Sequence, residues 1–526
     1  MSFLLRNLIP VFVLGFGLCL SAQDSKTESS SVPNVSGLGL LKMEIKNDGG
    51  KLVPCRIHLR NEKGKVVTTQ KYPFWNDHFV CDGQAELELA PGLYSWEIEK
   101  GPEFERKKGQ VTINAEKSRL VAVEMRRIAN LFKVNWVGGD MHVHRGLQDI
   151  ELLMKAEDLH FAPVISWWNR PAKNVKPATK TVFTFDRSRR YTKLAGEDER
   201  EGGALLFYGL DRPLDLTVKS REYPSPMTFV RQAIEINPQV WIDIEKPFWW
   251  DVPVWLASGK MKSVGIANNH MCRSQMLANE AWGKPRDVQK LPNPRGNGFW
   301  SQQIYYQILN SGFRLPPSAG SASGVLPNPM GYNRVYVYCD QGFDRDKWFE
   351  GLKQGHSFVT NGPLLIASAN QKVPGNVFQL PDGESTKTET LKIKFEIELT
   401  SLDPVPKLEL VLNGKVVQEI KCSEARMQKL AFDLEVNEPG WFLVRAIADV
   451  KETFRFASTA PWYIESSNSK NPVSRKSARF FLNWTEERIE RVRNSVSNKT
   501  ERQEVLKYHL QALDFWKKKF DEATRD

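Results

Sequence analysis

Residues 138–170 read GGDMHVHRGLQDIELLMKAEDLHFAPVISWWNR, and three of the chain's eight histidines fall within them. In an extended DMHVH, His142 and His144 point to one face while Met141 and Val143 point to the other. DIELLMKAEDL then carries a helical period, and FAPVISWW is an apolar run of strand character. The stretch therefore reads as strand, helix, strand, with the paired histidines at the end of the first strand of an α/β unit. Two imidazoles on one face can grip a single divalent ion. Asp140, two residues earlier on that face, offers a further ligand or an acceptor that fixes a ring tautomer. The bland alternative is a histidine-rich strand that only packs.

Working outward, apolar runs keep alternating with helical periods across residues 129–375. That alternation predicts an α/β layer or barrel whose site lies in the loops after its strands. Residues 39–128 have a different texture. LKMEI and AELEL alternate, and DGG, EKG and APG supply turns, so a small N-terminal β-sandwich is expected. Residues 385–466 repeat this pattern in LKIKFEIELTS, KLELVLNGKVVQEI and GWFLVRAIAD, with LNGK as a hairpin turn, and predict a C-terminal β-sandwich. Residues 472–526 read as a helical tail. Thr500 and Gln503 have capping-box spacing, and Leu506, Leu510, Leu513 and Phe520 form a stripe suited to docking on the body.

At the other end, Arg6 precedes the apolar LIPVFVLGFGLCL and the small residues Ser21 and Ala22. This has the form of a signal peptide over residues 1–23, followed by a polar, Ser-rich leader over 24–38. The expectation is a secreted or periplasmic protein with no integral membrane association after cleavage.

The chain has 526 residues, 41% hydrophobic and 11% aromatic, enough for several cores. Its sixteen tryptophans gather in SWWNR, KPFWWDVPVW and KWFEGL, as an aromatic interior or cleft wall would require. The formal charge is +11, but the basic residues are scattered among 62 acids without a long tract. With no binding motif present, nucleic acid is excluded as a partner, and an anionic or aromatic small-molecule substrate is expected instead. Of six cysteines, Cys19 falls in the signal segment. Cys55 and Cys81 share the first β-rich region, where a disulfide and two buried thiols both remain open.

Seven segments together carry a resemblance: GGDMHVHR, MKAEDLHFAPVISWWN, EKPFWWDVPVWLA, GIANNHM, GFRLPPSAGSASGV, NPMGYNRVYVY and GHSFVTNGPLL. Over roughly residues 130–370 the chain resembles the carbaryl-hydrolase (CehA/McbA-type) branch of the PHP, or polymerase and histidinol phosphatase, superfamily. The resemblance implies a distorted (βα)7 barrel that holds zinc, manganese or iron at its strand ends and hydrolyses esters, phosphoesters or amides. It carries His142 and His144 over as the first metal pair and His270 as a third ligand, beside Asp140. Two departures narrow this expectation. SWWN puts Trp167 and Trp168 where an Asp-His pair is usual, and GSASG stands where Asp-x-His is usual, so one ion, zinc first, is the simpler expectation.

A hydrolytic ion also wants a carboxylate. Asp243 and Glu245 share a strand face, and Glu245 is the first choice for proton transfer, Asp251 the second. Arg145 is placed with the reacting groups. Arg170, Arg314 and Arg334 are expected to orient an anionic substrate, with Trp168 and Trp250 as a flat wall. His58, His78 and His509 are read as structural, His160 as capping the helix before it, Glu157 as an ordinary helix-surface acid, and His356 as ambiguous. The serines of PPSAGSASGV lack both a GxSxG elbow and a following Lys, which argues against a serine nucleophile or phosphate loop. The function expected is an exported metal-dependent hydrolase of ester or phosphoester bonds. The rival is a non-catalytic envelope glycan- or protein-binding module built on a degenerate barrel.

Overall fold

All four residues of the strand Trp136–Gly139 are buried, as a strand covered on both faces requires. The computed structural model describes residues 37–381, 390–467 and 472–525, so the signal segment and nearly all of the leader lie outside the described residues. After this strand, the helix Ile150–Ala156 buries Ile150, Leu153, Met154 and Ala156, which sit at helical spacing. It returns the chain to Phe161–Trp168, parallel to the first strand. Arg190–Arg200 adds in parallel, Gly203–Tyr208 and Trp241–Ile244 add antiparallel, and Ser263–Ala267 and Pro317–Ala319 add in parallel.

The row then returns to its start. Met141 N–H donates to Ala319 (3.0 Å), Ala322 N–H donates to the His142 carbonyl (2.7 Å), and Val143 bridges both Val164 and Ser323. Seven strands thereby form a hydrogen-bonded ring, and the DMHVH segment is the stitch that closes it. A β-carbon on Gly320 would lie 2.4 Å from the β-carbon of His142, so glycine permits this approach. Strict strand-helix alternation is not kept around the ring. Only Glu201 and Gly202 separate Arg190–Arg200 from Gly203–Tyr208, and so short a link allows a hairpin but no crossover helix.

The N-terminal module is sandwich-like. A three-stranded sheet of Gln84–Leu89, Gly39–Asn47 and Ser118–Met125 faces a five-stranded sheet centred on Cys55–Asn61 and Gly92–Glu99. Leu41, Met43, Ile45, Ile57, Leu59, Phe79 and Ile98 form their shared core. Cys55 and Cys81 are buried thiols directly opposite each other, with Sγ atoms 3.9 Å apart.

The second sandwich is joined to the ring by an unbroken sheet. Arg334–Tyr338 pairs with Trp136–Gly139, Ser357–Thr360 pairs with Arg334–Tyr338, and Phe456–Thr459 continues the row. Leu364–Ala369, expected within the α/β segment, and Val377–Gln379, which lies between the two expected segments, belong by pairing to this second module.

The tail is two helices, Arg475–Ser495 and Lys499–Asp521. They dock on the body as expected, but on a different stripe. Val505, His509, Ala512 and Trp516 are buried, while Leu510 is exposed. His509 Nε2 stands 3.2 Å from Asp251, and Trp516 Nε1 donates to the Pro253 carbonyl (3.0 Å), so these polar ends select the buried face. The second helix is capped by Asn498, which accepts from Glu501 N–H (3.1 Å), two residues before the expected box. Among the described residues, no helix is long and apolar enough to cross a membrane.

Candidate metal centre

Ring closure sets the geometry at the end of the first strand. Asp140, fully buried, accepts three backbone N–H groups: His142 (3.0 Å) and Ser321 (3.0 Å) on one oxygen, and Gly331 (2.6 Å) on the other. Its carboxylate is consumed in pinning the strand end, so Asp140 organises the site rather than facing an ion. Burial pushes its pKa up.

His142 and His144 share a face, as the alternation requires, with their Nε2 atoms 2.9 Å apart. Glu197, from Arg190–Arg200, brings Oε2 to 3.3 Å from His142 Nε2 and 3.2 Å from His144 Nε2. Four-coordinate zinc has ligand atoms about 2.0–2.2 Å away and therefore about 3.3 Å from one another. The observed triangle, with sides of 2.9, 3.2 and 3.3 Å, comes close to that requirement. On its other side, His142 Nδ1 stands 3.4 Å from Glu245 Oε1. A carboxylate there favours the proton on Nδ1 and turns the Nε2 lone pair toward the triangle, the usual support for a ligating histidine. Glu245 is itself held by Lys246 and by Trp249 Nε1 (2.9 Å).

The electrostatics follow from burying this many charges together. Burial opposes a charged His142, but Glu197 and Glu245 outweigh it and raise its pKa. For His144 burial prevails and the pKa falls. Burial also opposes ionisation of Glu197, yet the two imidazoles hold its carboxyl below the usual range. Lys246 and His142 do the same for Glu245 against burial, bringing it to about 2. Glu199, two residues beyond Glu197 on the same strand face, is pushed up to about 7 by burial and by Glu197, and its side chain has no hydrogen-bond or ion-pair partner among the described residues. Asp243 is likewise pushed up to about 7 by burial, while Ser318 (2.6 Å) and Ser263 donate to it.

Several expected residues come together here and others do not. His270 lies outside the triangle. Its Nδ1 donates to the Asn279 carbonyl (3.0 Å), leaving Nε2 as the lone-pair nitrogen, and its electrostatic neighbours are Lys246 and Glu245. Trp168, half-buried, packs its ring 5.0 Å from that of His144. Asp251 instead meets the tail, at 2.7 Å from Arg488 and 3.2 Å from His509. Trp250 packs edge-on against Trp484 of the tail. Arg145 lies over Trp75 of the N-terminal module, Arg314 pairs with Glu465 (2.6 Å), and Arg170 is exposed. Arg334 is buried and donates to the Gly331 and Glu157 carbonyls. Glu157, expected on a helix surface, is buried and paired with Arg56 of the N-terminal module. His160 stacks on Phe132 instead of capping its helix, with centroids 4.4 Å apart. His356 borders a hollow with Tyr338, Cys339 and Asp340.

A second cluster, His58, Asp77 and His78, also brings three donor atoms together. Its chemistry suits an ion less well. Arg56 Nε donates to His58 Nε2 (3.1 Å), which puts the imidazole proton on Nδ1, the atom facing Asp77 at 3.2 Å. The nitrogen that would bind an ion keeps its proton, and Arg60 already occupies Asp77 (3.1 Å).

Glu197 and Glu199 are the residues at this centre that sequence reasoning missed. They lie in GEDER, where three acids stand in a row and only strand pairing decides which of them share the face of the paired histidines.

No family model and no curated protein matches the chain. Three solved structures share small likenesses with it. The minor pilin GBS52 of Streptococcus agalactiae is 19% identical over 18% of this chain and 47% of its own, with a TM-score of 0.16. The CARDB domain of the PF1109 protein of Pyrococcus furiosus, in complex with di-metal ions, is 15% identical over 20% of this chain and 90% of its own, with a TM-score of 0.14. The Bacillus anthracis TIE protein is 10% identical over 82% of this chain and 50% of its own, with a TM-score of 0.14. The chain thus spans about half the length of the pilin and of the TIE protein, and at these scores none of the three bears on its fold or function.

Proposed function

We propose that the chain is an exported metal-dependent hydrolase of the PHP type, acting on ester or phosphoester bonds of a small anionic or aromatic substrate. The observation that carries this reading is the buried His142, His144 and Glu197 triangle, with Glu245 behind His142. The ring of seven strands supports the barrel that the resemblance implies, and Arg6 with the apolar run after it supports export.

His142, His144 and Glu197 would hold the ion, with zinc first by its preference for nitrogen and oxygen donors in tetrahedral array. When bound, such an ion supplies a water whose pKa is lowered to about 7. The chain's own residues do the rest. Glu245 keeps the proton on Nδ1 of His142 and so holds that ring in its ligating tautomer. Lys246 keeps Glu245 ionised. Glu199, on the same strand face and without a side-chain partner among the described residues, is the carboxyl we assign to proton transfer, in place of Asp251, which the tail engages. Trp168 supplies a flat wall beside His144 on which an aromatic or sugar ring can lie.

The test combines elemental analysis with turnover of aryl esters and aryl phosphates. The wild-type chain is expected to hold a stoichiometric divalent ion and to hydrolyse at least one probe, with both properties lost in Glu197→Gln. An ion retained without turnover of any probe would make the centre structural and favour the binding-module reading.

A further inference from the structure

A narrow cleft opens where the N-terminal module, the ring and the second sandwich meet, away from the residues assigned to the metal centre. Five guanidinium groups line it: Arg56 and Arg106 from the first module, Arg273 and Arg334 from the ring segment, and Arg455 from the second sandwich. The carboxylates in the lining are Glu99, Glu157 and Asp403. Counting Glu97 beside it, which pairs with Arg273 at 2.8 Å, five positive charges still face four negative ones.

A seam that only tied modules together would match charges and close each fork on a carboxylate. Here Glu99 is shared by three guanidiniums, accepting from Arg56, from Arg106 (2.7 Å) and from Arg273 (2.8 Å). Arg106 Nη2 and Arg273 Nη1 have no hydrogen-bond partner among the described residues, and neither is a sealed buried atom. The forks are also held in position. Arg455 Nη2 donates to the Arg273 carbonyl (2.7 Å), and its Nη1 is held by Asp403. Phe104 and Tyr332 complete the lining, with Phe104 buried under Arg127. Partly desolvated, pre-positioned guanidinium groups with spare donors are what an oxyanion needs.

We propose that this cleft binds a small organic anion. Its phosphate, sulfate or carboxylate group is taken by Arg106 and Arg273, with Tyr332 alongside. The site is distinct from the metal centre but joined to it. Gly331, which lines the cleft, donates to Asp140, which in turn holds the His142 N–H, and Arg273 follows His270 by three residues.

Calorimetric titration with inorganic phosphate, sulfate and acetate at constant ionic strength tests this, using the wild-type chain and a His142→Ala/His144→Ala variant that removes the metal centre. The expected result is saturable one-to-one binding of at least one oxyanion, equal in both proteins. Arg106→Gln and Arg273→Gln should each weaken it by about tenfold or more. The tetrahedral and planar anions separate phosphate or sulfate recognition from carboxylate recognition. Arg106, whose side chain is 24% exposed, provides the variant that folds should Arg273→Gln not do so. The proposal is overturned if none of the three anions binds saturably, if binding is unchanged in Arg106→Gln, or if it disappears with the two histidines. The last result would assign the oxyanion to the metal centre and leave the hydrolase reading standing.

Discussion

Glu245 and Gly320 show how much of the centre rests on residues that never face an ion. Glu245 sits behind His142 and decides where its proton goes. Glu245→Gln should therefore weaken metal binding by about 10- to 100-fold, measured by competition with a coloured chelator, and an unchanged affinity would remove it from the supporting role. Gly320→Ala sets a methyl against the β-carbon of His142, so the ring must shift. That variant should lose metal affinity while its circular dichroism stays that of the parent. At this scale the sequence was partly legible. The HVH alternation put His142 and His144 on one face because a strand has a period of two. Asp140 was read as a candidate ligand or as an acceptor that fixes a ring tautomer, and its oxygens take up backbone N–H groups of Ser321 and Gly331, in one connection distant in sequence. Glu197 was invisible because GEDER has no apolar pattern to phase it. Only the pairing Glu197↔Leu206, with Asp198 turned away to Arg200, sets which acid faces the paired histidines.

Among the elements, the tail helices carry the clearest energetic statement. Arg488 is buried between Asp251 and Glu222, and His509 reaches the same Asp251. Burial opposes ionisation of Asp251, but Arg488 and His509 hold its carboxyl well below the ordinary range. A depressed carboxylate contributes stability that is present above its unfolded pKa of about 3.9 and is lost as pH falls further. Urea titrations at pH 7 and pH 3 should thus show the wild-type chain losing more stability on acidification than Asp251→Asn loses. Arg488→Met leaves two buried carboxylates without their partner and should cost about 3–5 kcal/mol at pH 7 in the same titrations. A cost below about 1 kcal/mol would mean the tail is held by its aromatic residues alone. The docking of the tail was readable from its amphipathic pattern, but not the stripe it uses. Adjacent stripes differ by one residue, and the choice fell to the polar ends of His509 and Trp516 finding Asp251 and the Pro253 carbonyl.

Taken as a whole, the molecule is less modular than its composition suggests. Shifts in sequence texture marked the two sandwiches, the α/β segment and the tail, because local hydrophobic period reports local structure. Texture could not report that Ser357–Thr360 pairs with Phe456–Thr459 and carries one sheet from the ring into the second sandwich. A boundary crossed by main-chain hydrogen bonds should unfold with its neighbours, so calorimetry is expected to give one transition for the ring and second sandwich together. Two resolved transitions, one abolished by deleting residues 385–466, would contradict that. Whether the triangle holds an ion is decided by the divalent metal content of the purified chain compared with that of His142→Ala/His144→Ala. The account predicts one tightly held ion per chain in the parent and none in the variant. A parent that holds no ion after reconstitution, or a variant that keeps the parent's full complement, would contradict it.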